Sequence, residues 1–322
     1  MQGGVSDMSA FSDYTFLSCD GKTDIHVRRC TPAGEIAGIV QIAHGIAEHV
    51  ERYDAFAAFL ADNGYLVVAN DHLGHGKSVK SEEDLGFFAE IGGWNLVVGD
   101  MHRLYETTHA EHPELPYFLF GHSMGSFLTR TYLIKHPDGL AGAIISGTGQ
   151  QIPPVVASGR MLGRQALSRG PKYKSARLNQ MAFGSYNNRI KDRRSAYDWL
   201  TRDTAVVQQY IDDPLCGFIP SVSLFVDMME GIEFIGSAAN CKAMNKSLPV
   251  FFVSGDMDPV GEYGKGVLRA YDIFLSAGMN DVTLKLYHDC RHELLNELNR
   301  DLVMQDILGW LRCKNPAAAL SR

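Results

Sequence analysis

The 322-residue sequence has no long apolar run, no closely spaced pair of cysteines and no excess of basic residues. Without a run of roughly 18 apolar residues it predicts no membrane span. Its start, MQGGVSDMSAFSDYTF, lacks the basic and apolar segments of a signal peptide. The six cysteines include no CxxC pair, so we expect reduced thiols and a cytoplasmic location. The formal net charge of −7 argues against nucleic acid as the main partner, because phosphate binding needs a basic surface.

Short apolar runs alternate along the chain with segments that have apolar residues at helical spacing. Six of these runs are typical of buried strands, namely 39–45, 65–71, 117–122, 141–147, 249–255 and 282–287. The alternation predicts an α/β fold with a mostly parallel sheet and helices on both faces.

The middle of the chain interrupts this alternation. Residues 150–245 contain no clear buried strand, although they include helical stretches such as 195–210. We therefore expect a continuous α/β core made of residues 1–149 and 246–322. Residues 150–245 would be an insertion in that core rather than a second independent domain.

The pentapeptide Gly121-His122-Ser123-Met124-Gly125 matches the pattern G-x-S-x-G and lies between a predicted strand and a predicted helix. The turn is so tight that a side chain two residues before or after the serine would collide with neighbouring backbone, and glycine avoids that collision. The turn would lift Ser123 above the carboxyl ends of the strands, where open α/β sheets bind ligands. The pattern predicts Ser123 as the nucleophile of a serine hydrolase.

A serine nucleophile needs a base and a third group that orients the base, and in this fold an acid and then a histidine follow the serine. One late loop offers Asp256 and Asp258. We choose Asp258, because Pro259 favours an extended backbone before it, and keep Asp256 as the alternative. The next loop offers His288 and His292, and we choose His292 as the base because it directly precedes the last helix. These two histidines also have the spacing of a zinc-binding helix, but the strand-like run before them argues against a shared helix face, so no metal is predicted.

The loop 44–49, of sequence HGIAEH, follows the first apolar run. Such a loop supplies one N–H group of an oxyanion hole, and the residue after the nucleophile supplies another. Ile46 and Met124 are therefore the predicted donors. Four nearby histidines could be read as metal ligands, but we expect them to brace the loops by hydrogen bonds: His44, His49, His72 and His75.

Five ordered motifs resemble those of the monoacylglycerol lipase and lysophospholipase branch of the α/β-hydrolases, which is often labelled serine aminopeptidase-like: HGIAEH, NDHLGHGKS, FGHSMGS, SGDMDPVG and RHELLNE. The resemblance extends over residues 15–315. It implies the α/β-hydrolase fold, a triad of Ser123, Asp258 and His292, and oxyanion donors at Ile46 and Met124. It also implies that no cofactor is needed and that residues 150–245 form a helical cap over the active site.

The leading functional hypothesis is hydrolysis of the carboxylic ester of a single-chain lipid, a monoacylglycerol or a lysophospholipid, through an acyl-enzyme. Several cap residues are candidates for an acyl channel or for the cap's own core: Tyr186, Tyr197, Trp199, Phe218, Phe225, Met228 and Met229. An aminopeptidase is a second hypothesis, since cap carboxylates could hold a free α-amine: Asp198, Asp203, Asp212, Asp213, Glu230 and Glu233. A ligand-binding protein without turnover is a third, less favoured because the triad is complete.

Residues 158–202 carry eleven Lys or Arg and two Asp, a net charge of +9 in a chain of −7. A basic stretch over an active site could attract an anionic head group or dock the cap transiently on an anionic lipid surface. It could equally be a solvated face with ordinary salt bridges. The sequence leaves these two interpretations open, as it does the oligomeric state.

Overall fold

One eight-stranded sheet forms the centre of the computed structural model, which describes residues 9–315. The strands are β1 (Ala10–Leu17), β2 (Asp24–Thr31), β3 (Gly38–Ala43), β4 (Tyr65–Asn70), β5 (Tyr117–His122), β6 (Gly142–Ser146), β7 (Val250–Gly255) and β8 (Val282–Tyr287). Their order is β1-β2-β4-β3-β5-β6-β7-β8. β2 pairs antiparallel with β1 and β4, and all other pairs are parallel. The predicted mostly parallel sheet is confirmed. Residues 1–8 of the N-terminal segment, in which no signal peptide was predicted, lie outside the described residues.

Helices cover both faces of this sheet. Within the described residues they are α1 (Asp54–Asp62), α2 (Gly93–Glu111), α3 (Met124–Lys135), α4 (Pro153–Ala166), α5 (Ala176–Phe183), α6 (Thr204–Asp212), α7 (Val222–Gly236), α8 (Ala238–Cys241), α9 (Lys265–Ser276) and α10 (Arg300–Lys314). α1 and α10 share a core cluster with Phe118 and Phe120 of β5, while α2, α3 and α9 share another with Leu119. Successive side chains of one strand therefore fill opposite cores, as the pleat requires. None of the helices in residues 9–315 has the length and apolarity needed to cross a membrane.

The chain between β6 and β7 forms α4–α8. Within the described residues it adds no strand to the sheet, although an isolated bridge joins Lys174 and Ser221. β6 and β7 are adjacent and parallel, so the chain leaves the sheet and returns to the neighbouring position. α7 packs on α2 and α3, with Gly231 against the indole of Trp94. On this basis we propose that residues 150–245 are a cap inserted into a core of residues 1–149 and 246–322.

The carboxyl ends of β3, β5, β7 and β8 lie at one edge of the sheet, because these strands run in the same direction. Ligands of open α/β sheets bind at this edge. The loops that follow these four strands carry every residue predicted to act in catalysis: Ile46, Ser123, Met124, Asp258 and His292. The topology thus gathers residues that are far apart in sequence.

Candidate active site

Ser123 occupies a strained turn between β5 and α3, with φ at +53°. Residues with a side chain rarely adopt such a positive φ, and it persists only where the surroundings enforce it. A Cβ atom on Gly121 would collide with the carbonyl of Gly125, and one on Gly125 would collide with the carbonyl oxygen of Ala43. The two glycines therefore allow β5, α3 and the end of β3 to approach each other, and the serine is held at their junction.

Asp258 and His292 form a buried pair beside the serine. The Oδ2 atom of Asp258 lies 2.9 Å from Nδ1 of His292, and the two side chains are 0 % and 2 % exposed. Burial lowers the pKa of His292, but the charge of Asp258 and its hydrogen bond outweigh that effect and raise the pKa above its usual value. The carboxylate can therefore hold the imidazole with its proton on Nδ1 and stabilise the imidazolium form.

The alternative pair, Asp256 and His288, also forms but lies at the surface. Asp256 Oδ2 is 2.9 Å from His288 Nδ1, and the His288 side chain is 86 % exposed. A base in that position would be surrounded by water and separated from the buried Ser123. The geometry therefore favours the pair Asp258 and His292 for a catalytic role.

Ser123 and His292 line the same cavity. Among the hydrogen bonds of the described residues, none joins the serine hydroxyl to the imidazole. Catalytic hydrogen bonds are often long without a substrate and tighten when one binds. The ring of Trp199 lies 5.0 Å from that of His292, and the main chain of the cap reaches the same loop through Leu200 O, which accepts from Glu293 N at 2.7 Å. The proposed cap thus contacts the loop that carries His292.

The loop after β3 lies directly against the nucleophile. A Cβ atom on Gly45 would be 3.1 Å from the Cβ of Ser123. Neither Ile46 N–H nor Met124 N–H donates a hydrogen bond to another described residue, and both residues line a cavity with Ser123. Two unused backbone donors next to a nucleophile can stabilise the oxyanion of a tetrahedral intermediate.

A buried ionic cluster supports this loop, and sequence reasoning did not predict it. Arg52 donates to Glu48 Oε2 and Glu293 Oε1, each at 2.6 Å, and Glu48 Oε1 accepts from Gly45 N–H and from the Tyr53 hydroxyl. Burial raises the pKa of Glu293, but Arg52 outweighs burial and lowers it below the usual range. The available signal was position, since Glu48 lies within HGIAEH and Glu293 follows His292.

Three of the four loop histidines are buried together and bonded within the loops. His72 N–H donates to His44 Nε2 at 2.9 Å, and His75 packs beside both rings. Burial lowers the pKa of His75 to about 4, so it is neutral near pH 7. These hydrogen bonds and ring contacts hold the two loops together.

The fourth histidine connects the core to the cap. His49 Nε2 lies 2.8 Å from Asp213 Oδ2, and the donor atoms of His49, Asp213 and Cys216 all lie within 4.8 Å of one another. The set His49, Asp213 and Cys216 has the donor types of a zinc site. However, the direct bond between His49 and Asp213 already satisfies both groups, and burial raises the pKa of the Cys216 thiol, which opposes thiolate formation.

Two cavities meet at Ser123. The smaller, of about 360 Å³, also contains His292, Asn179, Asn187 and Arg193. The larger, of about 800 Å³, has a mostly apolar lining that includes Phe127, Leu162 and Ile232. All seven candidate channel residues line one or both of them: Tyr186, Tyr197, Trp199, Phe218, Phe225, Met228 and Met229. The nucleophile therefore lies between a mostly apolar compartment and a smaller one of mixed polarity.

Comparison with known proteins places this site in a family. The family model described as serine aminopeptidase, S33, matches residues 34–299. The chain belongs to the serine aminopeptidase S33 family. It is 28 % identical to the monoacylglycerol lipase of Mycolicibacterium smegmatis over 87 % of this chain and 90 % of that protein. It is 26 % identical to the monoglyceride lipase of Mus musculus over 94 % and 91 % of the two chains.

The fold agrees with this S33 membership. The structure of a thermostable carboxyl esterase from Bacillus coagulans superposes with a TM-score of 0.88 at 30 % identity, covering 94 % of this chain and 98 % of the esterase. The expected α/β-hydrolase fold is thus confirmed, and this S33 chain is a serine hydrolase.

Proposed function

We propose that the protein hydrolyses the carboxylic ester of a single-chain lipid, most directly a monoacylglycerol, through an acyl-enzyme on Ser123. The observation that carries this proposal is the position of Ser123 between a large, mostly apolar cavity and a smaller one of mixed polarity, which offers the polar side chains of Asn179 and Asn187. An ester of a fatty acid and a small polar alcohol has the same two-sided character. The S33 relatives named monoacylglycerol or monoglyceride lipase support the same substrate class.

In the proposed mechanism His292 takes the hydroxyl proton as Ser123 attacks the ester carbonyl. Asp258 orients the imidazole and stabilises its cation, while the N–H groups of Ile46 and Met124 hold the oxyanion. His292 then protonates the departing alcohol, which leaves the acyl group on the serine. His292 deprotonates water as the water attacks the carbonyl of this acyl-enzyme. It then returns the proton to Ser123 Oγ as the bond between that oxygen and the acyl group breaks, and the fatty acid leaves. His292 thus carries out each proton transfer of the reaction.

The acyl chain is proposed to occupy the larger cavity, among Phe225, Met228 and Met229. The alcohol would occupy the smaller one, where Asn179, Asn187 and Glu48 offer polar groups. Burial of an acyl chain is favourable by about 0.8 kcal/mol for each methylene. Chain length should therefore affect binding more strongly than the identity of the small alcohol.

Aminopeptidase activity is disfavoured, because none of the six cap carboxylates proposed for an α-amine lines either cavity. They have other partners: Asp198 with Ser195, Asp203 with Arg300, Asp212 with Gln208, Asp213 with His49, Glu230 with Arg164 and Glu233 with Arg160. The carboxylates that do line the cavities are already in ion pairs, Glu48 and Glu293 with Arg52 and Glu262 with Arg269, so a substrate amine would meet no unpaired carboxylate there.

The basic stretch divides into paired and unpaired residues. Four have a carboxylate partner: Arg160, Arg164, Lys172 and Arg202. The other seven have no such partner among the described residues. Three exposed apolar side chains lie on α4 and α5, namely Val155, Met161 and Met181, and one of the seven basic residues, Arg177, is also on α5. We propose that this mixed basic and apolar face of the cap makes transient contact with anionic lipid surfaces.

A cytoplasmic location is proposed from the cysteines. All six are free thiols in the structure, which is the usual state in a reducing compartment. Fractionation of the native host with a thiol-alkylation assay would test this, and disulfide-linked protein in an extracellular fraction would contradict it.

The proposed function is tested by a turnover panel on the wild type, Ser123→Ala and Ser168→Ala, an exposed cap serine serving as control. The panel contains p-nitrophenyl butyrate, monooleoylglycerol, lysophosphatidylcholine and leucine p-nitroanilide. We expect monooleoylglycerol to be the best lipid substrate, and Ser123→Ala to lose activity by several orders of magnitude. A fluorophosphonate probe should label every variant except Ser123→Ala. Full activity of Ser123→Ala would refute the nucleophile, and preference for the anilide would refute the ester substrate.

A further inference from the structure

The geometry points to Tyr210, a residue of the cap, as a positioning residue for the oxyanion loop 44–49. This inference rests on the proposed function, because it takes Ile46 N–H as an oxyanion donor. Tyr210 would act through the backbone of Ala47, the residue after Ile46, and not through contact with the reacting atoms.

Ala47 adopts a conformation that its side chain disfavours. Its φ is +55°, in the left-handed region where a Cβ atom crowds the following carbonyl. Such a conformation persists only when neighbouring groups hold it. Ala47 is bonded to Ile46, whose N–H belongs to the preceding peptide group with Gly45. Relaxation at Ala47 would therefore be transmitted through the Ile46 Cα to the peptide group that carries this N–H. The oxyanion donor therefore depends on whatever holds Ala47 in place.

Two cap groups hold Ala47 by its carbonyl oxygen. The Tyr210 hydroxyl donates to Ala47 O at 2.9 Å, and Gly217 N–H donates to the same oxygen at 3.0 Å. Gly217 N–H also lies 3.1 Å from the Tyr210 hydroxyl oxygen, so the three groups form one small network. On the core side, Glu48 holds the same loop through Gly45 N–H. The loop is thus fixed between the core and the cap.

Tyr210 itself is well anchored, which suits it to position another group. Its side chain is buried, and its ring lies 4.8 Å from the Arg52 guanidinium and 5.0 Å from the Tyr197 ring. The nearby bond between His49 and Asp213 fastens the loop after α6 to the core. A phenylalanine would keep these ring contacts and remove only the hydroxyl. Tyr210→Phe is therefore a specific probe of the bond to Ala47.

Loss of the Tyr210 hydroxyl should lower kcat. A single hydrogen bond contributes enough net free energy to change an equilibrium by about three- to tenfold, and Gly217 N–H still holds Ala47 after the substitution. We expect kcat for p-nitrophenyl butyrate to fall about three- to tenfold, with KM changed less than about twofold, since an oxyanion contact acts mainly in the transition state. Binding of a trifluoromethyl ketone, which mimics the tetrahedral intermediate, should weaken by the same factor as kcat.

Tyr132→Phe is the matched control, because Tyr132 is buried and its hydroxyl bonds to His102 at 2.9 Å, outside both cavities. It should lower Tm as Tyr210→Phe does while leaving kcat unchanged. Equal kcat in the two variants would overturn the inference, and a rise in KM alone would make Tyr210 a substrate-binding residue instead.

The Ala47→Gly background tests whether Tyr210 acts through the strained conformation. Glycine adopts positive φ without the steric penalty, so the effect of Tyr210→Phe on kcat should shrink to less than about twofold there. An undiminished effect in this background would show that Tyr210 does not act through Ala47. Activity remaining in Ser123→Ala would refute the proposed function itself, so the two failures are distinguishable.

Discussion

Asp258→Asn should disable the enzyme by placing the His292 proton on the wrong nitrogen. Asp258 Oδ1 accepts from Val260 N–H at 2.8 Å, and Oδ2 accepts from His292 Nδ1 at 2.9 Å. In the variant, the Val260 N–H still needs an acceptor, so the amide oxygen stays there and the NH2 group turns towards His292. Nδ1 must then accept, and the proton moves to Nε2, the nitrogen that has to take the proton of Ser123.

The expected loss is on the order of 10⁴-fold in kcat/KM, which corresponds to about 5.5 kcal/mol of transition-state stabilisation. Asp256→Asn is the matched control, since Asp256 bonds the 86 % exposed His288, and it should stay within about threefold of wild type. The assay is hydrolysis of p-nitrophenyl butyrate from pH 5 to 9, with Tm measured for each variant.

The pH profile gives a second readout. The wild type should lose activity in acid as His292 takes up a proton, with a midpoint above the ordinary histidine pKa because Asp258 raises it. Asp258→Asn removes the main interaction that opposes burial and leaves only the charges of Glu293 and Glu48 to raise the pKa of His292, so the residual activity should have its acid limb at lower pH. A folded Asp258→Asn variant that keeps more than about a tenth of the activity, or an Asp256→Asn variant that is the more damaged, would refute the assignment.

Two further predictions concern charge and acid. Arg193 lines the smaller cavity and has no carboxylate partner among residues 9–315, so Arg193→Glu should reduce turnover of lysophosphatidic acid relative to monooleoylglycerol, and the control Arg194→Glu should do so less. The wild-type ratio of lysophosphatidic acid turnover to monooleoylglycerol turnover should fall as salt shortens the screening length from about 30 Å at 0.01 M to about 8 Å at 0.15 M, and a salt-independent ratio would contradict this. Burial lowers the folded-state pKa of His75 and of His122 to about 4, so the unfolded state binds more protons below about pH 6.5. Their contribution to stability, on the order of 3 kcal/mol each, should be lost as pH falls from 6.5 towards 4, and a urea midpoint that is unchanged between pH 7 and 4.5 would contradict this.

The pattern of residues along the chain was enough to predict the parallel sheet and the nucleophile turn. Buried parallel strands are largely apolar, so the runs that form β3–β7 could be predicted without knowledge of tertiary contacts. The run that forms β8 was predicted too, although this strand is largely half-exposed and contains Thr283 and Lys285. β1 and β2 were not predicted, because β1 is largely exposed and has no continuous apolar run. The requirement for Gly121 is local, since its Cβ would collide with Gly125 four residues later, whereas the requirement for Gly125 comes from Ala43 on β3.

The partners of the nucleophile depended on tertiary structure. Two aspartates in one loop and two histidines in the next form two pairs with the same 2.9 Å separation, and burial alone distinguishes Asp258 and His292 from Asp256 and His288. The order of the loops along the chain indicated these four residues as candidates. It did not indicate how deeply each pair would be buried.

No sequence pattern predicted the residues that hold the oxyanion loop in place. Arg52 lies between Glu48 and Glu293, and the latter is 241 positions from it along the chain. The Tyr210 hydroxyl reaches Ala47 O across 163 positions. Local sequence carries the steric needs of a turn and the periodicity of a strand, because both arise between neighbours. Which distant group neutralises a buried charge or holds a strained carbonyl is decided only when the cap packs on the core and excludes water from them.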